Sequence, residues 1–220
     1  MNKLQKKAKW LNYIFIGMLI TASIFQISCS QTQIEKFTGN LEKAIDAFKK
    51  QKEDTEEALK EAEEARIKAL EQEIIKYSSS KTKSFIEKWR EADQETMNLR
   101  VRFNDVIKDA DFLFAYCEKK SNIIKDRSLR DKMKGFIRDK KSGFTSEVKK
   151  THVALIALEE AIIRGNDVII SLEIVGSLKA VGEKFKDLGD IYKTATLKLP
   201  EIEALIKEGR KLLESDLSTL

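Results

Sequence analysis

Residues 85–117 read FIEKWREADQETMNLRVRFNDVIKDADFLFAYC, and they contain the most regular apolar pattern in the chain. Aromatic, aliphatic and small residues follow one another there at alternating steps of four and three: Phe85, Trp89, Ala92, Thr96, Leu99, Phe103, Val106, Ala110, Leu113 and Cys117. Such a row lies along one face of an α-helix. Because the row mixes aromatic and small residues, it favours packing in a helical bundle over a long two-stranded coiled coil.

Apolar stripes with helical spacing continue through the rest of the chain, which has 220 residues. One Pro and nine Gly leave few positions where a helix must end, which excludes a turn-rich β sandwich, a propeller or a collagen-like chain. We therefore predict an all-α protein, an antiparallel helical bundle of five to six helices with a long charged N-terminal helix. Its domains are a signal at 1–28, a tether at 29–39, the charged helix at 40–77 and the bundle at 78–220.

The predicted helix boundaries rest on small residues, Gly and the single Pro. The first long helix runs from Leu41 to about Tyr77, and its middle is solvated or lightly paired because Leu59 is the one large apolar residue between Gln51 and Ala65. The remaining signals are a turn or cap at 38–40, an interruption at 78–80, a helix end at 142–143, a bend or division at 165–166, an extended Leu199, and Pro200 in the first turn of the last helix.

The N-terminal segment has the order of an export signal. A basic stretch, Met1–Lys9, precedes a largely apolar run, Trp10–Ile27, and Ser28-Cys29 closes it. A small residue directly before a Cys is typical of a bacterial lipoprotein cleavage site, where the Cys thiol takes a diacylglycerol. The sequence therefore predicts cleavage before Cys29 and acylation of that residue.

Two other interpretations of this segment stay open. The largely apolar run, 18 residues long, is at the lower limit for an uncleaved membrane anchor, and an ordinary cleaved signal could precede an incidental Cys. Gln26 occupies a position where a lipobox usually has an apolar residue, whereas Asn12, Thr21 and Ser23 weaken a permanent membrane helix. All three interpretations place the residues after 30 outside the cytoplasm.

The Lys-rich start, the Phe/Ile-rich core and the ending Ile27-Ser28-Cys29, before a Lys/Glu-rich helical body, resemble the surface lipoproteins of Borrelia-type spirochaetes. The lipobox of that group is relaxed, which accommodates Gln26. The resemblance implies a lipid anchor in the outer membrane facing the exterior, and a partner such as a host matrix protein, a glycosaminoglycan or a complement component.

Residues that could carry catalysis are few. The chain has one His and two Cys, and it contains no Gly-rich phosphate loop, Cys pair, HExxH or G-x-S-x-G motif. We expect Cys117 to be a small core residue rather than an exposed thiol, and His152 to have an ordinary surface or packing role. Trp89 with Phe85 is expected in the core rather than on a ligand platform. No enzyme activity, metal or cofactor is predicted.

Charge is unevenly distributed along the chain. The net charge of +5 resides almost entirely in Lys3, Lys6, Lys7 and Lys9, so the body has no overall field for nucleic acid. Residues 53–73 contain nine acids and three bases, whereas 119–150 contain twelve bases and four acids. In one interpretation, the two segments are solvated faces or attract each other. In the other, the basic segment binds a polyanion through ten residues: Lys119, Lys120, Lys125, Arg127, Arg130, Lys132, Lys134, Arg138, Lys140 and Lys141.

The sequence thus predicts a membrane-anchored surface lipoprotein that works as a binding module. The alternative is a periplasm-facing structural or assembly lipoprotein in which the charged helix at 41–77 is a spacer. A homo-oligomer is possible if the acidic helix pairs with a second copy of itself.

Overall fold

The chain forms four long helices in the computed structural model, which describes residues 3–71, 78–175 and 178–214, and the side chains of 33–71, 78–174 and 182–214. The helices are α1 Lys3–Leu70, α2 Ser80–Ser121, α3 Arg127–Val175 and α4 Leu178–Glu214. No strand occurs among these residues. The all-α class is confirmed, and the prediction of five to six helices is wrong, because the described residues form four.

Each helix packs against two neighbours, in the pairs α1–α2, α2–α3, α3–α4 and α1–α4. Cross-helix contacts show that α1 and α2 are antiparallel, since Phe48 lies on Phe103 while Lys88 pairs with Glu61. The diagonal pairs, α1–α3 and α2–α4, make no close backbone approach within the described ranges. The result is a four-helix bundle with its core along the common axis.

The apolar row of α2 lies in that core as predicted. Phe85, Leu99 and Val106 have no exposed surface, and Trp89 is 1% exposed. Cys117, the last member, is half-buried where α2 approaches its end. Ser79 begins the helix, because its hydroxyl accepts a hydrogen bond from the Thr82 N–H at 3.2 Å. The interruption predicted at 78–80 is therefore the start of α2.

The charged helix forms one wall of the bundle from Phe37 to Leu70, where α1 ends; residues 72–77 of its predicted range lie outside the described part. Its apolar residues Leu41, Phe48 and Leu59 are fully buried. The expectation of a solvated or lightly paired middle is wrong, because polar side chains fill that layer. Thr55 is fully buried, and its hydroxyl donates to the Gln51 carbonyl at 2.7 Å and to the Glu95 carbonyl of α2 at 3.2 Å.

The two Gly signals predicted to end or bend a helix lie inside the continuous helix α3. At Gly143, a Cβ atom would lie 3.2 Å from Oε1 of Glu208, so the missing side chain allows close packing of α3 against α4. At Gly165, a Cβ would lie 1.8 Å from Cζ2 of Trp89. At both positions close approach, not chain reversal, requires Gly, and the excess helices of the prediction come from the helix end placed at Gly143 and the helix start placed at Pro200.

Pro200 and residues 38–40 also fall within helices. Pro200 lies inside α4 on an exposed face, and Leu199 is helical and buried, so neither the predicted helix start nor the extended Leu199 is found. Thr38 does not form a turn, since its hydroxyl donates to the Ile34 and Glu35 carbonyls at 3.0 Å each within α1.

The contact between α2 and α3 at Gly165 gives a stability test. We expect Gly165→Ala to lower the free energy of unfolding by about 1–3 kcal/mol, because the new methyl displaces the buried Trp89 ring. Gly135→Ala in the same helix is the matched control, since nothing lies within 4 Å of its Cβ position. There the substitution should raise stability by up to ~1 kcal/mol. Urea unfolding followed by circular dichroism measures both, and equal effects would contradict the Trp89 contact.

Candidate functional site

The predicted acylation site lies in the part of α1 that precedes the bundle. Cys29 is within α1, but its side chain lies outside the described residues, as does the cleavage site before it. Among the described side chains of α1, the first with a ring contact to the bundle is Phe37, whose ring centroid is 5.3 Å from Tyr116 and 6.4 Å from Phe112. Seven residues, 30–36, therefore separate the predicted anchor from this contact.

The ten basic residues predicted to bind a polyanion all lie at one end of the bundle. Lys119 and Lys120 are in the last turn of α2, Lys125 is in the connection, and the other seven lie between Arg127 and Lys141 of α3. None of the ten is buried. Asp126 starts α3 at this end, because its carboxylate accepts from the Leu129 N–H at 2.9 Å. The structure thus places the ten residues together, and their binding of a polyanion stays a prediction.

The ion pairs of the basic end are few and exposed. Lys141 Nζ lies 2.9 Å from Glu118 Oε1, across the α2–α3 interface. Arg127 and Arg138 face Asp131 and Asp139 at 4.0 Å, with more than three fifths of every one of these four side chains exposed. Pairs of this kind contribute little to stability, so these cations keep most of their capacity to bind an external anion.

A groove of about 410 Å³ opens at the same end between α2 and α3. Lys134, Arg138 and Lys141 line it together with Glu118, and Ser121 and Asn122 line it near the end of α2. Three cations and the Asn122 amide converge there around one carboxylate, while the Ser121 hydroxyl already donates to the Glu118 carbonyl at 2.8 Å. The groove is therefore suited to an anionic oxygen-bearing group.

The acidic segment lies at the other end of the bundle, so its attraction to the basic segment is ruled out as the reason for the charge pattern. Glu61 pairs with Lys88 near the start of α2, at 2.8 Å. Glu118 pairs with Lys141 and lies 30 residues after Lys88 along α2, a distance of about 45 Å in a helix. At that separation the attraction is screened.

Buried charged residues on α1 were missed by sequence reasoning. Lys52 is 5% exposed, and its Nζ donates to Glu203 at 2.9 Å and to Glu56 at 3.1 Å. Burial disfavours the Lys52 ammonium, but the hydrogen bonds to the two carboxylates outweigh it and raise its pKa; the same bond lowers the pKa of Glu203. The sequence contained one signal of this burial, because Lys52 has the helical spacing of the buried positions 48, 55 and 59. These groups join α1 to α4 and have a structural role.

A second missed feature is an apolar stripe on the outer face of α3. Its large residues are exposed: Val153 65%, Ile156 38%, Ile163 58%, Ile170 51% and Ile174 78%. With Glu160 and Asp167 they form a row with steps of three and four over about 32 Å of helix. The predicted inward stripe, which includes Leu155, Leu158 and Leu172, is buried on the opposite side. The second row was visible in the sequence as a second set of heptad positions.

The remaining candidate residues have structural environments. Trp89 and Phe85 pack in the core with ring centroids 6.2 Å apart, as predicted. His152 is exposed, stacks on Phe103 at 6.2 Å, and places its Nδ1 3.0 Å from Nη1 of Arg100. No cluster of three potential metal-ligating side chains occurs in the described ranges.

Among the residues whose side chains the structure describes, no helix combines the length and apolar character needed to cross a bilayer. The side chains of the apolar run at 10–27 are not among them, so the choice between a cleaved signal and an uncleaved anchor stays open. No protein-family model, no curated protein and no solved structure matches the chain.

Cys117 gives a test of the α2 packing. Burial and the neighbouring Glu118 carboxylate raise the pKa of its thiol above the ordinary value. The neutral thiol is a poor nucleophile, so alkylation by iodoacetamide at pH 8 should be several-fold slower than in guanidinium-unfolded chain, with its pH profile displaced to higher pH. Peptide mass spectrometry separates Cys117 from Cys29. Equal rates in the folded and unfolded states would show that Cys117 is an exposed thiol.

Proposed function

We propose that this chain is an acylated envelope lipoprotein whose helical bundle is a binding module rather than an enzyme. The segment at 1–29, with Ser28 directly before Cys29, supports the anchor. Each buried CH₂ of an acyl chain contributes ~0.8 kcal/mol, and stable retention takes more than one chain, which a diacylglycerol-modified Cys provides. The resemblance to Borrelia-type lipoproteins favours outer-membrane display.

Acylation of Cys29 is directly testable. We expect the wild-type chain to incorporate radiolabelled palmitate and to fractionate with membranes, and Cys29→Ser to incorporate none. Cys117→Ser is the matched control and should behave as wild type, because that thiol lies in the bundle. An unmodified Cys29, or a chain recovered from the cytosol with residues 1–28 still attached, would contradict the anchor.

The α3 stripe is the observation that carries the binding role. Large apolar side chains exposed in one row are typical of an interaction surface, and five aliphatic residues, interrupted by Glu160 and Asp167, form such a row on α3. Its heptad spacing suits a helix of a partner protein. Glu160 and Asp167 within the row favour a partner helix that carries Lys or Arg at the facing positions. The proposed partner is a host matrix protein or complement component with such a helix.

Substitutions in the stripe test this assignment. The full acylated protein carrying Ile163→Ser and Ile170→Ser should lose capture of a serum or matrix protein at least tenfold, because two apolar contacts are removed. Its melting temperature should stay near that of wild type, since both side chains are more than half exposed. Leu197→Ser, at an isolated exposed position on α4, is the control and should retain capture. Capture that persists in the double variant would exclude the stripe.

Protease treatment of intact cells separates the alternative, a periplasm-facing structural or assembly lipoprotein, from display on the cell surface. Digestion of the bundle on intact cells would support display, and protection would support a periplasmic location. The spacer in that alternative needs residues 41–77 to project, whereas residues 41–70 form a wall of the bundle. The same burial removes the apolar face through which the acidic helix would pair with a second copy, so a homo-oligomer stays a prediction without an assigned surface.

A further inference from the structure

The antiparallel packing of α1 and α2 determines which end of the bundle faces the predicted anchor. Phe37 of α1 lies on Tyr116 of α2. From that contact, α1 runs back toward Cys29 while α2 runs forward in the same direction toward Ser121. The end of α2, the connection and the start of α3 are therefore on the anchor side of the bundle, and the acidic segment of α1 is on the far side.

Cys29 and the α2–α3 connection lie at similar heights, where height is the distance along the bundle axis from the contact between Phe37 and Tyr116. Cys29 is eight residues before Phe37, about 12 Å along a helix and at most about 28 Å in any chain conformation. Ser121 lies five residues beyond Tyr116, about 8 Å along α2, and α3 begins 14 residues before Lys141, which pairs with Glu118, so its start lies about 24 Å beyond Tyr116. The α2–α3 connection thus reaches the height of the residue that would carry the acyl chains.

We propose that the basic end of the bundle is a contact surface for the headgroups of anionic lipids, in the same membrane that holds the acylated Cys29. This inference rests on the proposed acylation and assigns a ligand to the ten basic residues. A soluble polyanion such as heparin would have to enter between the bundle and the lipid layer to reach them. The headgroups are already there.

The charge and shape of this end fit phosphate-bearing headgroups. Between Glu118 and Lys141 ten bases face four acids, Glu118, Asp126, Asp131 and Asp139. The groove lined by Lys134, Arg138 and Lys141 can take one phosphate group, and Lys119, Lys120 and Lys125 surround the connection. Electrostatic contact of this kind acts within a Debye length, about 8 Å at physiological ionic strength. The short link from Cys29 keeps the bundle close enough for that range.

Lysine labelling on vesicles tests the proposal. Acylated full-length mature protein is reconstituted into vesicles of phosphatidylcholine alone or of phosphatidylcholine with phosphatidylglycerol, and pulsed with an amine-reactive ester. Peptide mass spectrometry reads Lys119, Lys125, Lys132 and Lys134. We expect these to react at least threefold more slowly on the anionic vesicles, and this protection to fall as salt is raised. Lys60, Lys68 and Lys81 at the far end are internal references and should react equally on both.

Variants and outcomes separate the possibilities. Exchange of Lys119, Lys125, Lys132 and Lys134 for Ser should abolish the difference in labelling of Lys140 between the two vesicle types. Exchange of Lys60, Lys68 and Lys81 for Ser should leave that difference unchanged.

Equal labelling on both vesicle types, in protein whose measured mass includes the acyl chains, would overturn the lipid contact but not the anchor. Retention of detergent-solubilised protein on heparin without protection on vesicles would assign the residues to a soluble polyanion. An unmodified Cys29 would instead refute the proposed function.

Discussion

The position of Trp89 against Gly165 fixes how the two halves of the bundle meet. The indole is almost fully buried beside Phe85, its Nε1–H donates to Asn166 at 2.9 Å, and the Asn166 amide in turn donates to Asp93 at 2.9 Å. A buried indole N–H needs a hydrogen-bond partner, and Asn166 supplies it. The preceding residue, Gly165, lies against the ring, where any side chain would collide with it. Ring, amide and Gly together allow one register of α2 against α3.

The fold class could be predicted because alternating steps of three and four residues leave a clear signal. The α2 row is that signal, and every member from Phe85 to Leu113 is buried. Helix number could not be predicted, because Gly143, Gly165 and Pro200 carry the same sequence signature whether they end a helix or lie within one. What decides between these outcomes is the side chain of another helix, and single-sequence patterns do not contain it.

The candidate site was partly accessible in the same way. Composition alone identified the basic segment, since ten Lys and Arg lie between residues 119 and 141. Its position required the topology, because the return of α2 alongside α1 brings that segment back to the end from which α1 enters. Lys52 was missed because a charged residue at an inward position is acceptable only when partners such as Glu56 and Glu203 are supplied by the fold. The α3 stripe shows the converse: apolar residues with helical spacing need not face the core.

The separation of charge over about 45 Å gives the bundle an electric dipole along its long axis. If many copies stand on one membrane by the same end, their acidic tips, around Glu61, lie at a common height. Like charges in one plane repel, and this repulsion lengthens in range as ionic strength falls. Neighbouring molecules would then hold each other apart and upright, as in a polyelectrolyte brush. The outermost layer of such a coat would be negative, although the polypeptide after residue 28 is almost neutral.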